Sequence, residues 1–173
     1  MSADENQELA ALLRHWSVLH VKPRTEKKVA EYLKIYRLWH YLPLWTKTVR
    51  RQRRKVKTEL PVFPGYVFAK LNVADRVKML KTNLVVGTIS VLNERLLIHQ
   101  LRQVARAGRS GSQIRKTQMF KEGEPVVIKY GPLAGIEGYV VRDNGGMSVV
   151  LNVEMLGQAI CVSLPPDDCK KLS

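Results

Sequence analysis

The sequence predicts an α+β fold in parts: a ferredoxin-like α/β sandwich, a flexible linker and a small C-terminal β-barrel. Three observations carry this. Over residues 15–106 the apolar residues switch between period-two and helical spacing, in the order strand, helix, strand, strand, helix, strand, helix. Residues 107–119 lose all periodicity, and four short β-type runs then fill 120–173. The charge changes at the same place. Residues 1–119 hold 24 Lys/Arg against 8 Asp/Glu, a net of +16, whereas 120–173 hold 5 against 7, a net of −2.

Residues 1–14 are polar and then weakly amphipathic, an extension with no strand or strong helix pattern. Trp16 to Lys22 alternates like a half-buried strand, and Pro23 ends it. Thr25 is placed to cap a helix whose face is Val29, Tyr32, Leu33 and Tyr36. Tyr41 to Lys57 reads as one long strand running into a very basic turn. Leu60 to Leu71 is the next strand, interrupted at Pro61 and at Pro64-Gly65. A short helix carries Val73, Val77 and Leu80 on one side, Val85–Leu92 is β-branched and apolar, and Asn93 caps a last helix with the stripe Leu97, Leu101, Val104. Ala107–Gln118 is small and polar, which suits a linker. The β runs of the second part are Pro125–Tyr130, Gly138–Val141, Met147–Val153 and Ala159–Leu164, separated by glycine-rich turns. The expected domains are therefore 15–106 and 120–173, with 1–14 as an extension and 107–119 as linker.

Three constellations stand out. In Phe63-Pro64-Gly65-Tyr66-Val67-Phe68 the Pro-Gly pair bends the chain, and Tyr66 and Phe68 then share one strand face. Trp16, Val18 and His20 alternate in the same way. Periodicity alone allows these aromatics to be core or an exposed interface equally. Val49–Lys57 packs six cations into nine residues: Arg50, Arg51, Arg53, Arg54, Lys55 and Lys57. A turn cannot bury them, and such a cluster repels itself unless a polyanion neutralises it. The third, Lys129–Val141, has three glycines and a proline, the chemistry of a tight strand connection and not of a phosphate loop.

Catalytic chemistry has no footing in the sequence. His15, His20, His40 and His99 are scattered, without carboxylates at relay spacing, and Cys161 and Cys169 have no ligand or nucleophile setting. Two reduced thiols, no metal and no cofactor are expected. The absence of a long apolar run points to the cytosol.

Taken together and in this order, the motifs resemble the NusG family of transcription elongation factors. Trp16-Ser17-Val18-Leu19, Gln52-Arg53-Arg54-Lys55 and Phe63-Pro64-Gly65-Tyr66 look like its N-terminal (NGN) domain, and the Gly131-Pro132 and Gly135…Gly138 glycines look like its KOW domain. The resemblance implies a factor, not an enzyme, that acts as a monomer and away from membranes. It implies binding to the RNA polymerase clamp through an aromatic hollow mapped onto Trp16, His20, Phe63, Tyr66 and Phe68. It also sets the basic hairpin beside the non-template DNA strand. Bridging the polymerase cleft would disfavour paused states by a population shift. A KOW partner, Rho or a ribosomal protein in relatives, would meet Leu133 and Ile136.

Leu133 stands where housekeeping members carry Phe, and Gly157–Val162 departs from their usual barrel ending. Both are more similar to specialised paralogs of the RfaH and UpxY kinds, which act as antiterminators on particular operons. The His-Thr-Thr tip of the best-known of these is missing near Val77-Lys78-Met79. The expected function is an operon-specialised elongation or antitermination factor. A general NusG is the runner-up, and an RNA- or ribosome-binding KOW protein is the alternative of a different class.

Overall fold

The computed structural model describes residues 13–51, 54–112, 114–118, 123–131, 133–143, 146–164 and 169–171. The chain divides into two compact units, and neither is a single stretch of sequence. The first comprises residues 1–42 and 63–94, the second 43–62 and 95–173.

The first unit holds a four-stranded antiparallel sheet with two helices. Its strands are β1 (His15–Val21), β2 (His40–Tyr41), β5 (Tyr66–Leu71) and β6 (Val85–Ser90), in the order β2-β5-β1-β6. Helix α1 (Glu26–Ile35) starts after Thr25, whose hydroxyl donates to the Lys22 carbonyl at 2.7 Å rather than capping the helix. Helix α2 (Val73–Lys81) begins with a reciprocal cap: the Asp75 N–H donates to the Asn72 side chain at 2.8 Å, and the Asn72 N–H to the Asp75 carboxylate at 3.3 Å. Asp75 also takes the Arg14 guanidinium at 2.7 Å. Leu19, Val21, Val67, Ala69 and Leu71 from one sheet face pack with Val29 and Leu33 of α1 and Met79 of α2 to form the core.

The side of α2 that spacing groups together looks outward. The α2 stripe Val73, Val77 and Leu80 faces solvent, at 77, 45 and 42% exposure, while Asp75 and Met79 point inward. Spacing groups residues on a face without saying which way that face looks. Here the cap and the Arg14 ion pair settle the rotation in favour of Asp75.

The second unit contains the two-stranded hairpin β3 (Leu44–Arg51) and β4 (Arg54–Pro61), helix α3 (Glu94–Arg109) and a six-stranded antiparallel sheet. That sheet is built from β7 (Ile114–Gln118), β8 (Glu124–Ile128), β9 (Glu137–Asp143), β10 (Gly146–Val153), β11 (Gln158–Leu164) and β12 (Cys169–Lys171), in the order β12-β8-β9-β10-β11-β7. Four strands were expected over 120–173; five are described there, and β7 joins them from the segment expected as linker. Val149, Val150 and Leu151 are buried in succession, so both faces of β10 are covered.

The segment expected as a linker is regular structure where it is described. Its start is the last turn of α3, and Ile114–Gln118 pairs with β11 from Val162 to Gln158. Helix α3, assigned by sequence to the N-terminal part, fastens to the C-terminal sheet. Gln100 and Glu154 bond reciprocally, at 3.1 Å through the Glu154 N–H and 3.2 Å through the two side chains. Arg106 donates to the Gly135 carbonyl at 3.3 Å, and His99 lies 3.5 Å from Glu137. The expected stripe Leu97, Leu101, Val104 is buried.

Candidate functional site

Strand register decides which aromatics share a surface. Along β1 and β5, Trp16 opposes Lys70, Val18 opposes Phe68 and His20 opposes Tyr66. Directly opposed residues lie on the same side of an antiparallel pair, so these six form one face. The other side of both strands is the core already described. The aromatic face is therefore turned away from α1 and α2.

Its members differ in access. Phe68 and Val18 are fully buried, and Phe63 is 1% exposed. Phe63 and Phe68 meet edge to face, their ring centres 6.4 Å apart. Trp16 and Tyr66 are half-buried and His20 is exposed. His20 stacks on Tyr66 at 5.4 Å and 25°, and Lys70 Nζ stands 6.0 Å from the Trp16 ring centre, within cation–π reach. Trp16 Nε1 is shielded from solvent with no hydrogen-bond partner. Tyr66 and Phe68, paired by sequence as one patch, thus occupy different depths. Trp16, His20 and Tyr66 are the accessible members of this face, with buried Val18 and Phe68 on the rung between them.

The turn ahead of β5 is held by a residue that sequence reading passed over. Glu26, only 5% exposed, accepts the Gly65 N–H at 2.8 Å. The Gly65 carbonyl accepts from Val21 at 2.8 Å, and Tyr66 donates to Phe63 at 3.2 Å. Gly65 needs φ +86°, a region open to glycine without penalty. A Glu at the start of a helix reads as a helix-dipole partner; its second task emerges only when Gly65 is beside it.

The basic segment forms a hairpin that pairs with no other strand among the described residues, Leu44 opposite Pro61 through Arg51 opposite Arg54. Arg50 opposes Lys55 in the same register. Lys55 and Lys57 are exposed. Arg53 lies outside the described residues.

Leu133 and Ile136, the expected partner contacts of the second part, are 3% and 0% exposed. The turn carrying them closes through Ile136 N–H to Leu133 carbonyl at 3.1 Å and Ile128 N–H to Ile136 carbonyl at 2.9 Å. They are core residues of the sheet end, and the residues between them that reach solvent are Ala134 and Gly135.

Among the described residues no group of histidine, cysteine and carboxylate side chains could hold a metal. No helix among them is long and apolar enough to cross a membrane. An aromatic sheet face in one unit and a self-contained cationic hairpin in the other are the equipment of a macromolecule-binding protein. Comparison gives the family: the model described as "Transcription termination factor nusG" matches residues 14–114, more than half of the chain. The protein therefore belongs to the NusG family, whose members are transcription factors rather than enzymes and bind RNA polymerase. Comparison with curated proteins finds no match. Among solved structures, that titled "Domain interaction in Thermotoga maritima NusG" is similar in fold. The TM-score is 0.54 at 20% identity, over 94% of this chain and 99% of that one.

Proposed function

We propose that this protein is an operon-specialised elongation and antitermination factor that docks on the RNA polymerase clamp through Trp16, His20 and Tyr66. Phe68, buried on the same face, packs edge to face with Phe63. The hairpin from Arg50 to Lys57 lies along the non-template DNA strand, and the six-stranded sheet acts as a KOW-type barrel that recruits a further partner. The observation that carries the reading is the stacked His20–Tyr66 pair on the sheet face opposite the helices, with Trp16 farther along the same face. Binding the elongating state better than the paused state would then shift the population toward elongation. Leu133, in the position where general members carry Phe, supports specialisation.

The test is co-elution with polymerase. Tyr66→Ala should weaken binding by about 2 kcal/mol, the usual loss for a buried aromatic anchor, while circular dichroism stays native. Undiminished co-elution would remove the docking assignment. Arg51→Ala, Arg53→Ala and Arg54→Ala together should flatten the salt dependence of binding to an assembled elongation complex, each lost phosphate contact lowering the single-strand slope by about 0.7. Readthrough at many unrelated terminators, rather than at one operon, would favour the general factor.

A further inference from the structure

A second cationic feature lies at the root of the hairpin. Within the second unit, the first half of β3 and the turn that ends α3 enclose a groove of about 730 Å³, lined among others by Trp45, Lys47, Thr48, Arg109 and Ser112. That volume is within the range of about 300–1,000 Å³ that accepts organic ligands. The groove has a defined wall. The Ser110 hydroxyl donates to the Ala107 carbonyl at 2.7 Å and accepts the Ser112 N–H at 3.1 Å, and Gly111 turns the chain at φ +72°. Lys47, Thr48 and Arg109 are exposed, and none of the described lining residues is a carboxylate.

Trp45 supplies the second observation. It is half-buried and lines the groove. Cations for phosphate beside an indole for a base are the pairing used by single-strand binders. The placement adds to this. From Lys47 to Arg51 is four residues of one strand, about 13 Å at the usual rise.

From these observations we propose that the groove seats one nucleotide unit of a single-stranded nucleic acid, whose neighbouring phosphates continue toward the hairpin. Lys47 and Arg109 neutralise phosphate, and Trp45 meets the base. The continuity with the hairpin rests on the nucleic-acid role proposed above; the groove itself can be tested alone. Arg109 also sits at the carbonyl end of α3, where a cation is favourable whatever else it binds, so the assay needs a readout that helix stability does not move.

The Trp16→Phe/Trp39→Phe protein keeps Trp45 as its only tryptophan. Titrating it with oligothymidylate and with oligouridylate should quench Trp45 fluorescence. Adding Lys47→Ala and Arg109→Ala should abolish the quench and lower the salt slope by about 1.4, two contacts at about 0.7 each, in titrations run below the melting transition. Lys78→Ala/Lys81→Ala on α2 removes the same charge from the other unit and should leave both readouts intact. The arm with the steeper slope identifies the strand as DNA or RNA. No quench, or a groove variant that binds like its parent, overturns the proposal. If the arginine hairpin variant alone then flattens the slope, the hairpin reading stands without the groove. If the groove variant alone does so, the groove stands and the hairpin reading falls.

Discussion

Removing the Glu26 carboxylate should loosen the first unit and blunt its aromatic face together. Glu26 is 5% exposed, and its one described bond is the 2.8 Å contact from the Gly65 N–H. A hydrogen bond to a charged group contributes about 1.5–3 kcal/mol. An acidic group in the first turn of a helix adds about 0.3–1 kcal/mol. Glu26→Ala should therefore cost about 2–4 kcal/mol on combining those two terms. In a unit of this size each kcal/mol lowers the melting temperature by about 4–8 °C, so a fall of at least about 8 °C is expected. Glu26→Gln keeps an acceptor oxygen while losing the charge, and should fall between wild type and Glu26→Ala. The assay is thermal unfolding by circular dichroism at several pH-matched salt concentrations, followed by polymerase co-elution below the transition. Because Gly65 precedes Tyr66, Glu26→Ala should also weaken co-elution while the protein is still folded. If it melts within about 2 °C of wild type, the bond does not hold the turn, and the account of how Tyr66 is positioned is wrong.

Two further substitutions test other parts of the structure. At Gly138 an added Cβ would lie 2.5 Å from the Val149 side chain and 2.5 Å from the Val150 carbonyl oxygen, and that backbone atom cannot rotate away. Gly138→Ala should destabilise the second unit by about 3 kcal/mol, the upper part of the overpacking range, as read by denaturant unfolding. Val77→Glu places a charge on the solvent face of α2 and should change stability by no more than about 0.5 kcal/mol, whereas a buried Val77 would give a collapse.

Much of the first unit was legible because strand alternation is a local property. Trp16, Val18 and His20, like Tyr66 and Phe68, fall on one face as their spacing dictates. Which of them reach solvent was not legible, since that depends on what lies over each strand position. The long strand read from Tyr41 to Lys57 spans the end of β2, all of β3 and the start of β4, and is broken first at Leu42-Pro43, where proline has no N–H to offer a ladder. The break matters for the site, because it frees β3 to pair with β4 alone. Helix α3 and the segment after it were misassigned for a different reason. Their partners, Glu154, Gly135 and β11, lie far along the chain, and polar latches such as Gln100–Glu154 leave no periodic trace. Strand β7 hid because an edge strand satisfies its backbone through one neighbour and tolerates Arg115 and Thr117 between other residues.

The interleaving of the two units along the chain has a consequence for synthesis. Residues 43–62 are made before the first unit is finished at residue 94, yet they belong to a unit whose last strand ends at Lys171. At a translation rate of about 5–20 residues per second, the hairpin spends roughly 5–20 s outside the ribosome without its own unit to join. During that interval it must stay soluble without companions. Its run of arginines and lysines, whatever it later binds, already serves the nascent chain by keeping an unaccompanied pair of strands from finding others like itself.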